Sequence, residues 1–522
     1  MRLHDYLEYH ARQSPQHPHL QLAGRALSYQ QSNHCANRLA HGLLASGVRH
    51  GQRFAWLSRN AVDMALMYFA ASKIGAVPVP LNYRLRPQDW AHIVADAGCR
   101  AWFSQSEFIP AIMAQRAGPE GAGPEQPCLI DLDGQAEGTT PLAAWLPERA
   151  DNPGAPVAPG DALYQMYTSG TTGRPRGVVL SQAAVDNNVQ MLAAAAGLVP
   201  GDVRMLVVAP LYHAAGAIIL LTTTARGGTA VLHQDFQPEA VVDALANDGI
   251  TMTLLVPAMI QACLAAVPDL ASRRFPTLRT LLYGASPIHP DTLQRAMAAW
   301  PCDFLQGFGM TETTAIATIL DAPAHRRALT DRPDLLLSAG RSLLGTELRV
   351  VDSNDQDLPP GGVGEVLVRG PQLMSAYWGA PEATAQALRG GWMHTGDVGC
   401  LDDQGYLFIK DRLKDVIVSG GETLYSTEIE AAVASHPAVA DVAVIGVPDT
   451  RFGETVLACV VLRPGHTLDI DGLRAHCRER LAGFKLPRQL QVLPQIPRNA
   501  SGKALKKDLR EPFWQGHERR VS

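Results

Sequence analysis

No CxxC pair occurs among the eight cysteines, which stand far apart at Cys35, Cys99, Cys128, Cys263, Cys302, Cys400, Cys459 and Cys477. That spacing argues against a zinc ribbon or a disulfide framework and fits a reducing, cytoplasmic setting. Long apolar runs are also missing. The most apolar runs, such as Met191 to Ala196 and Ala217 to Leu221, fall far short of the roughly 20 residues that a membrane-spanning helix needs. The opening MRLHDYLEYHARQSP has no apolar signal core, and the C-terminus has no lipidation box. A large excess of one charge is missing as well. A net charge of -5 and a pI near 6.4 disfavour a general nucleic-acid or anionic-membrane surface. What remains is a 522-residue chain, 46% hydrophobic and 18% charged. It has ample core for two or more domains.

The first hundred residues alternate strand and helix signals. Phe54 to Leu57 reads as a buried strand, Ala61 to Ile74 as an almost wholly apolar helix, and Ala76 to Val79 as a returning strand. This is a β-α-β unit, which implies a parallel sheet covered by helices. From Ala114 to Gly160, Gly- and Pro-rich punctuation predicts surface loop without regular elements.

Tyr167 to Ser181 holds three glycines and three threonines, with Ser169, Arg174 and Arg176 among them. Glycine lets the backbone approach a ligand closely, while hydroxyls, N–H groups and fixed positive charge suit a polyphosphate. Strand-like Leu163 to Thr168 and Val178 to Leu180 flank it, so the loop joins two strands and does not open onto a helix. The lysine-closed phosphate loop of common nucleotide hydrolases is not present.

His213, in Pro210-Leu211-Tyr212-His213, reads equally as a packing histidine and as a functional one. Tyr283-Gly284-Ala285-Ser286 and Gln306-Gly307-Phe308-Gly309-Met310-Thr311-Glu312 each end a strand in a turn, where an α/β sheet binds ligands. Asp397, in Thr395-Gly396-Asp397, taken alone is a solvated turn aspartate. The run Asp411-Arg412-Leu413-Lys414-Asp415 taken alone is a solvated loop. After Gly420-Gly421 the chain restarts with a helix over Glu428 to Ala434, strands over Asp441 to Val447 and Leu457 to Leu462, and a helix over Leu473 to Leu481. This predicts a compact α+β second domain that ends near Ser501-Gly502-Lys503.

Taken in this order, the motifs resemble the adenylate-forming superfamily of acyl-CoA synthetases, adenylation domains and luciferases. The resemblance spans nearly the whole chain. It implies an α/β fold: a large multi-sheet N-terminal domain (1–413) with parallel sheets flanked by helices, and a small mobile α+β C-terminal domain (414–522). The implied reaction has two halves. A carboxylate attacks the α-phosphorus of ATP, with Mg²⁺, to give an acyl-adenylate and pyrophosphate, and the thiol of coenzyme A then displaces AMP. The chemistry rests on positioning and charge neutralisation.

By the resemblance, Thr168, Ser169, Gly170, Thr171, Thr172, Gly173 and Arg176 grip the β- and γ-phosphates. Thr172 and Glu312 lie near Mg²⁺. Gly284, Ala285 and Ser286, with Gln306, Gly307, Phe308, Gly309, Met310 and Thr311, border the adenine. Asp397 and Arg412 hold the ribose, and Lys503 bridges the substrate carboxylate and the α-phosphate. Lys414 is the hinge of a two-domain clamp whose rotation withdraws Lys503 and brings Gly420 and Gly421 toward the coenzyme A channel. His213 sits where the carboxylate meets the thiol path.

Two positions depart from the family pattern. Arg176 stands where lysine is common, which alters the reach to pyrophosphate. Ser426 stands where proline is frequent, with little expected consequence for the chemistry. Ala214 to Leu221 and Thr313 to Leu320 are expected to line the acyl pocket and contain no Asp, Glu, Lys or Arg. A neutral acid is therefore expected, since an unpaired buried charge is costly. Medium- or long-chain fatty acids come first and hydroxycinnamates or benzoates second. A carrier-loading module is disfavoured because the 19 residues after Lys503 form no carrier bundle. A catalytically silent nucleotide-binding relative is the rival of another class. A homodimer is an open expectation.

Overall fold

The computed structural model describes residues 1–117, 126–168, 175–498 and 504–515. Among them, the largest sheet has nine strands. Its interior is parallel: Asp303–Phe308, Thr280–Gly284, Met252–Leu254, Arg204–Val207, Thr229–Leu232 and Pro18–Leu22 lie side by side. Antiparallel strands finish both edges. A second sheet is parallel throughout. It orders Val77–Leu81, Arg53–Leu57, Ala101–Ser104, Cys128–Asp131 and Thr140–Pro141.

The helix Val62–Ile74 between the first two of these strands is buried on all sides. This matches its uniformly apolar sequence, because a helix apolar all round must be covered all round. The 114–160 stretch is not pure loop. Cys128–Asp131 and Thr140–Pro141 extend the second sheet, where Leu129 and Ile130 are buried. Their shortness hid them among Gly and Pro signals.

Strands Ala162–Thr168 and Arg176–Ser181 pair antiparallel, with Thr168 opposite Arg176, as the two-strand reading requires. Four antiparallel strands, Glu347–Val351, Gly364–Arg369, Met393–Leu401 and Leu407–Arg412, form a further sheet. Asp397 and Asp411 both lie in its strands and are buried. Asp397 is therefore no solvated turn residue, and the charge run is no solvated loop, since Asp415 is buried too.

Beyond Ile417 the chain builds a separate sheet around the long hairpin Val439–Asp449 and Gly453–Leu462. Two cores, drawn entirely from Ile417 onward, pack on its faces. Helix Ser426–Ala434 covers one face and helix Lys506–Trp514 the other.

Candidate active site

Neighbouring parallel strands bring two of the sequence motifs together. Gly284 sits opposite Gly307 in register, at the carboxyl ends of Thr280–Gly284 and Asp303–Phe308. A Cβ on Gly284 would lie 2.2 Å from the Gly307 carbonyl oxygen, so only glycine permits this approach. The next residue, Ala285, holds a left-handed φ of 67°. For a residue with a side chain this conformation is costly and marks a functional turn. A cavity of ≈680 Å³ opens here, between the large sheet, the antiparallel sheet and the start of helix Lys506–Trp514.

One end of the cavity is polar and cross-linked. Arg412 Nε donates to Asp397 Oδ1 at 2.7 Å, and the two are cross-strand partners. Glu365 steadies the same segment by accepting from Gly396 N at 3.0 Å and bonding His394 Nδ1 at 2.9 Å. Gly396 has a φ of 68°, which glycine adopts freely. Glu312 is buried, and Tyr377 Oη donates to its Oε1 at 2.9 Å. Burial pushes the Glu312 carboxyl pKa up, while the Tyr377 hydroxyl and Arg412 favour its charged form. The Arg176 guanidinium lies 5.5 Å from the centre of the Tyr377 ring, and both residues line the cavity.

The other end is aliphatic: Ala214, Ala215, Ile218, Leu254, Leu282, Ala315 and Ile316 form its wall. His213 also lines the cavity. It caps helix Ala214–Ala225, with Nδ1 accepting from Ala215 N at 3.2 Å. That bond leaves the ring proton on Nε2. Burial holds the His213 pKa below the usual histidine value, and protonating Nδ1 would also break the cap. The helix N-terminus adds a partial positive charge beside the cavity, which suits a carboxylate.

Of the residues expected at the site, Thr168, Arg176, His213, Gly284, Ala285, Gly307, Gly309, Met310, Thr311, Glu312, Arg412 and Lys414 line the cavity. Asp397 reaches it through Arg412. Gln306 and Ser286 are not on the wall, and Phe308 packs instead against Ala339, Val350, Val366 and Leu407. Gly420 and Gly421 form an exposed turn away from it. Ser169 to Gly173 and Lys503 lie outside the described residues, but Ala504 to Asp508, which follow Lys503, line the cavity. Of the expected acyl-lining segments, Ala214, Ala215, Ile218, Ala315 and Ile316 line the cavity. Ile219, Leu220 and Leu221 turn into the core. Tyr377, Glu365, Leu254 and Leu282 went unnoticed in the sequence, because each belongs to a strand or its end without local punctuation.

Residues 7–378 match the AMP-binding enzyme family, and residues 428–503 match the AMP-binding enzyme C-terminal domain. The chain belongs to this family. This AMP-forming acid–thiol ligase is 37% identical over 521 residues to the fatty acid–[acyl-carrier-protein] ligase ScoC of Streptomyces coeruleorubidus, covering 98% of this chain and 97% of that one. It is 38% identical over 509 residues to a feruloyl-CoA synthase of an Amycolatopsis species, covering 96% and 97%. The solved structure of ATP-bound MatB from Rhodopseudomonas palustris superposes with a TM-score of 0.88 at 28% identity, covering 99% of this chain and all (100%) of that one.

The ligase is an acyl-CoA synthetase, with ATP, Mg²⁺ and coenzyme A as cofactor and co-substrates. The donors fit Mg²⁺: the carboxylate of buried Glu312 stands on the cavity wall. Mg²⁺ is commonly held by one or two carboxylates together with substrate phosphates. Among the described residues no helix is long and apolar enough to cross a membrane.

Proposed function

We propose that this ligase activates medium- or long-chain fatty acids as acyl-adenylates and passes them to coenzyme A. The observation that supports the acyl class is the aliphatic part of the cavity wall, where Ala214, Ala215, Ile218, Leu254, Leu282, Ala315 and Ile316 bring no charge and no polar side-chain group. An alkyl chain loses nothing there, whereas a buried hydroxyl without a partner costs about 1–3 kcal/mol. Hydroxycinnamates are the second reading, favoured by the 38% identity to feruloyl-CoA synthase.

In this reading Asp397 and Arg412 hold the ribose, a carboxylate accepting hydroxyls beside fixed guanidinium donors. Ala285 and the Gly307 to Thr311 turn border the adenine. Arg176 and the residues 168–173 grip the pyrophosphate, and Glu312 with Thr172 holds Mg²⁺, which supplies charge neutralisation to the phosphates. His213, as a neutral Nε2–H donor, orients the acid's carboxyl group. Lys503 steadies the attacking carboxylate against the α-phosphate. Domains 1–413 and 414–522 turn about Lys414 between the half-reactions, and Gly420-Gly421 then faces the coenzyme A channel. The enzyme works in the cytoplasm.

AMP release measured over a panel of acids tests the acyl class. Saturated acids are expected to exceed cinnamates in kcat/KM. An aromatic acid ahead by more than about tenfold, roughly 1.4 kcal/mol, would overturn the reading.

A further inference from the structure

Ser426 is fully buried at the first position of helix Ser426–Ala434. Its backbone N–H donates to Asp411 Oδ2 at 2.5 Å, and its hydroxyl donates to the same oxygen at 2.7 Å. Lys506 Nζ donates to the Ser426 hydroxyl oxygen at 2.6 Å and pairs with Glu430 Oε1 at 2.8 Å. The neighbouring Thr427 hydroxyl donates to the carbonyl of Lys410. Lys410 and Asp411 belong to strand Leu407–Arg412 of the antiparallel sheet, whereas Ser426, Thr427, Glu430 and Lys506 belong to the unit built beyond Ile417. The donors and acceptors therefore stand on opposite sides of Lys414. A turn about Lys414 moves one set relative to the other.

We infer that Ser426 is a positioning residue: with Asp411 it forms a latch that holds the C-terminal unit in the posture where Ala504 to Asp508 line the cavity, and so sets the balance between adenylation and thioester formation. The inference rests on the two-posture reading proposed above. Both donors come from one residue whose type matters at both atoms. Proline there would lose the N–H and the hydroxyl, alanine the hydroxyl alone. The first helical position tolerates proline without losing a helix bond, because its N–H has no partner within the helix. Ser426→Pro therefore removes the latch and spares the helix. The Lys506–Glu430 pair lies wholly within the C-terminal unit and stays made in either posture. Asp411, freed of Ser426, meets water when the units part, so the latch can open without stranding a buried charge.

The test compares wild type, Ser426→Ala and Ser426→Pro in two half-reactions: acid-dependent ATP–pyrophosphate exchange, and thioester formation from supplied acyl-adenylate and coenzyme A. Hydrogen bonds to a carboxylate are strong enough for their loss to move the ratio of exchange to thioester rate by about tenfold in Ser426→Pro and less in Ser426→Ala, with exchange falling and thioester formation holding or rising. A purely structural role would lower both rates together, and equal loss would overturn the latch. Trypsin cleavage after Arg412 and Lys414 reads the posture without any substrate. It should quicken in Ser426→Pro, and an unchanged cleavage rate also overturns the latch. If cleavage quickens but wild type shows no exchange with any acid, the adenylation reading fails and the latch stands.

Discussion

At the polar end of the cavity, described side chains are tied to one another: Asp397 to Arg412, Glu365 to His394 and to the Gly396 backbone, Glu312 to Tyr377. At the aliphatic end Ala214, Ala215, Ile218, Leu254, Leu282, Ala315 and Ile316 make no polar bond through their side chains. The contrast follows from what each end must do. A nucleotide has fixed donors, acceptors and charges, and a site reproduces them only if its own polar groups are held still beforehand. An acyl chain has none, so its end of the cavity needs volume and dryness, and many aliphatic sets supply those equally well. The polar end is thus assigned the chemistry and the aliphatic end the choice of acid.

Four substitutions or conditions would break or sharpen that division. The largest effect belongs to Lys503→Ala, expected to lower acid-dependent ATP–pyrophosphate exchange by about 10²–10³-fold, the loss typical when one preorganised charge-stabilising donor is removed. Thioester formation from supplied acyl-adenylate should be largely spared, and stopped-flow measurement of each half-reaction separates them. Next, Asp397→Ala leaves the Arg412 guanidinium without its carboxylate partner. The KM for ATP should rise by about 10- to 100-fold, the worth of one charged hydrogen-bonded contact, while the order of preference among acids stays as in wild type. Steady-state kinetics at varied ATP and at varied acid checks both halves.

A smaller change is expected from Ile218→Phe, which fills part of the aliphatic end. The longest acids should lose about tenfold in kcat/KM and short acids should lose little, with the KM for ATP unmoved; overpacking itself costs roughly 1–3 kcal/mol of stability. A rise in the KM for ATP in this variant would show that the two ends are not separate.

The smallest effect is that of pH through His213. Its pKa is depressed from the ordinary 6.5 by burial. Both folded and unfolded forms are neutral above that value, and below it the unfolded chain takes the proton first. The contribution to stability is therefore complete above pH 6.5 and declines as the pH falls through that value toward the lower folded pKa. Thermal unfolding of wild type and His213→Gln across pH 5–8 should show a shallower acid-side decline in the variant.

The same contrast explains what could be read from residues alone. Gly284, Gly309 and Gly396 are legible because close approach or a left-handed φ admits little else, and turns at strand ends announce themselves through glycine. Asp397 and Asp411 carry the right residue type, yet their burial depends on strand pairing with Arg412 and on the helix at Ser426, which lie 15 positions away in each case. Local turn preference cannot report such a partner. Tyr377 is harder still. Its strand Ala376–Tyr377 is two residues long, and it matters only because Glu312, 65 positions earlier, points at its hydroxyl. Leu254 and Leu282 look like any buried strand leucines, since nothing in an aliphatic side chain distinguishes a pocket wall from a core. Ser426 was legible as a departure from the family pattern. Its meaning depended on where Asp411 lay.

The division of labour between the two ends is tested most directly by a double-mutant cycle. The kcat/KM for a long-chain saturated acid, at subsaturating ATP, is measured in wild type, Asp397→Ala, Ile218→Phe and the double variant. Independent ends predict that the two losses multiply, with a coupling below about 0.5 kcal/mol, a factor of roughly two. A coupling well above that, in either direction, would contradict the account and mean that the site recognises nucleotide and acyl chain as one unit.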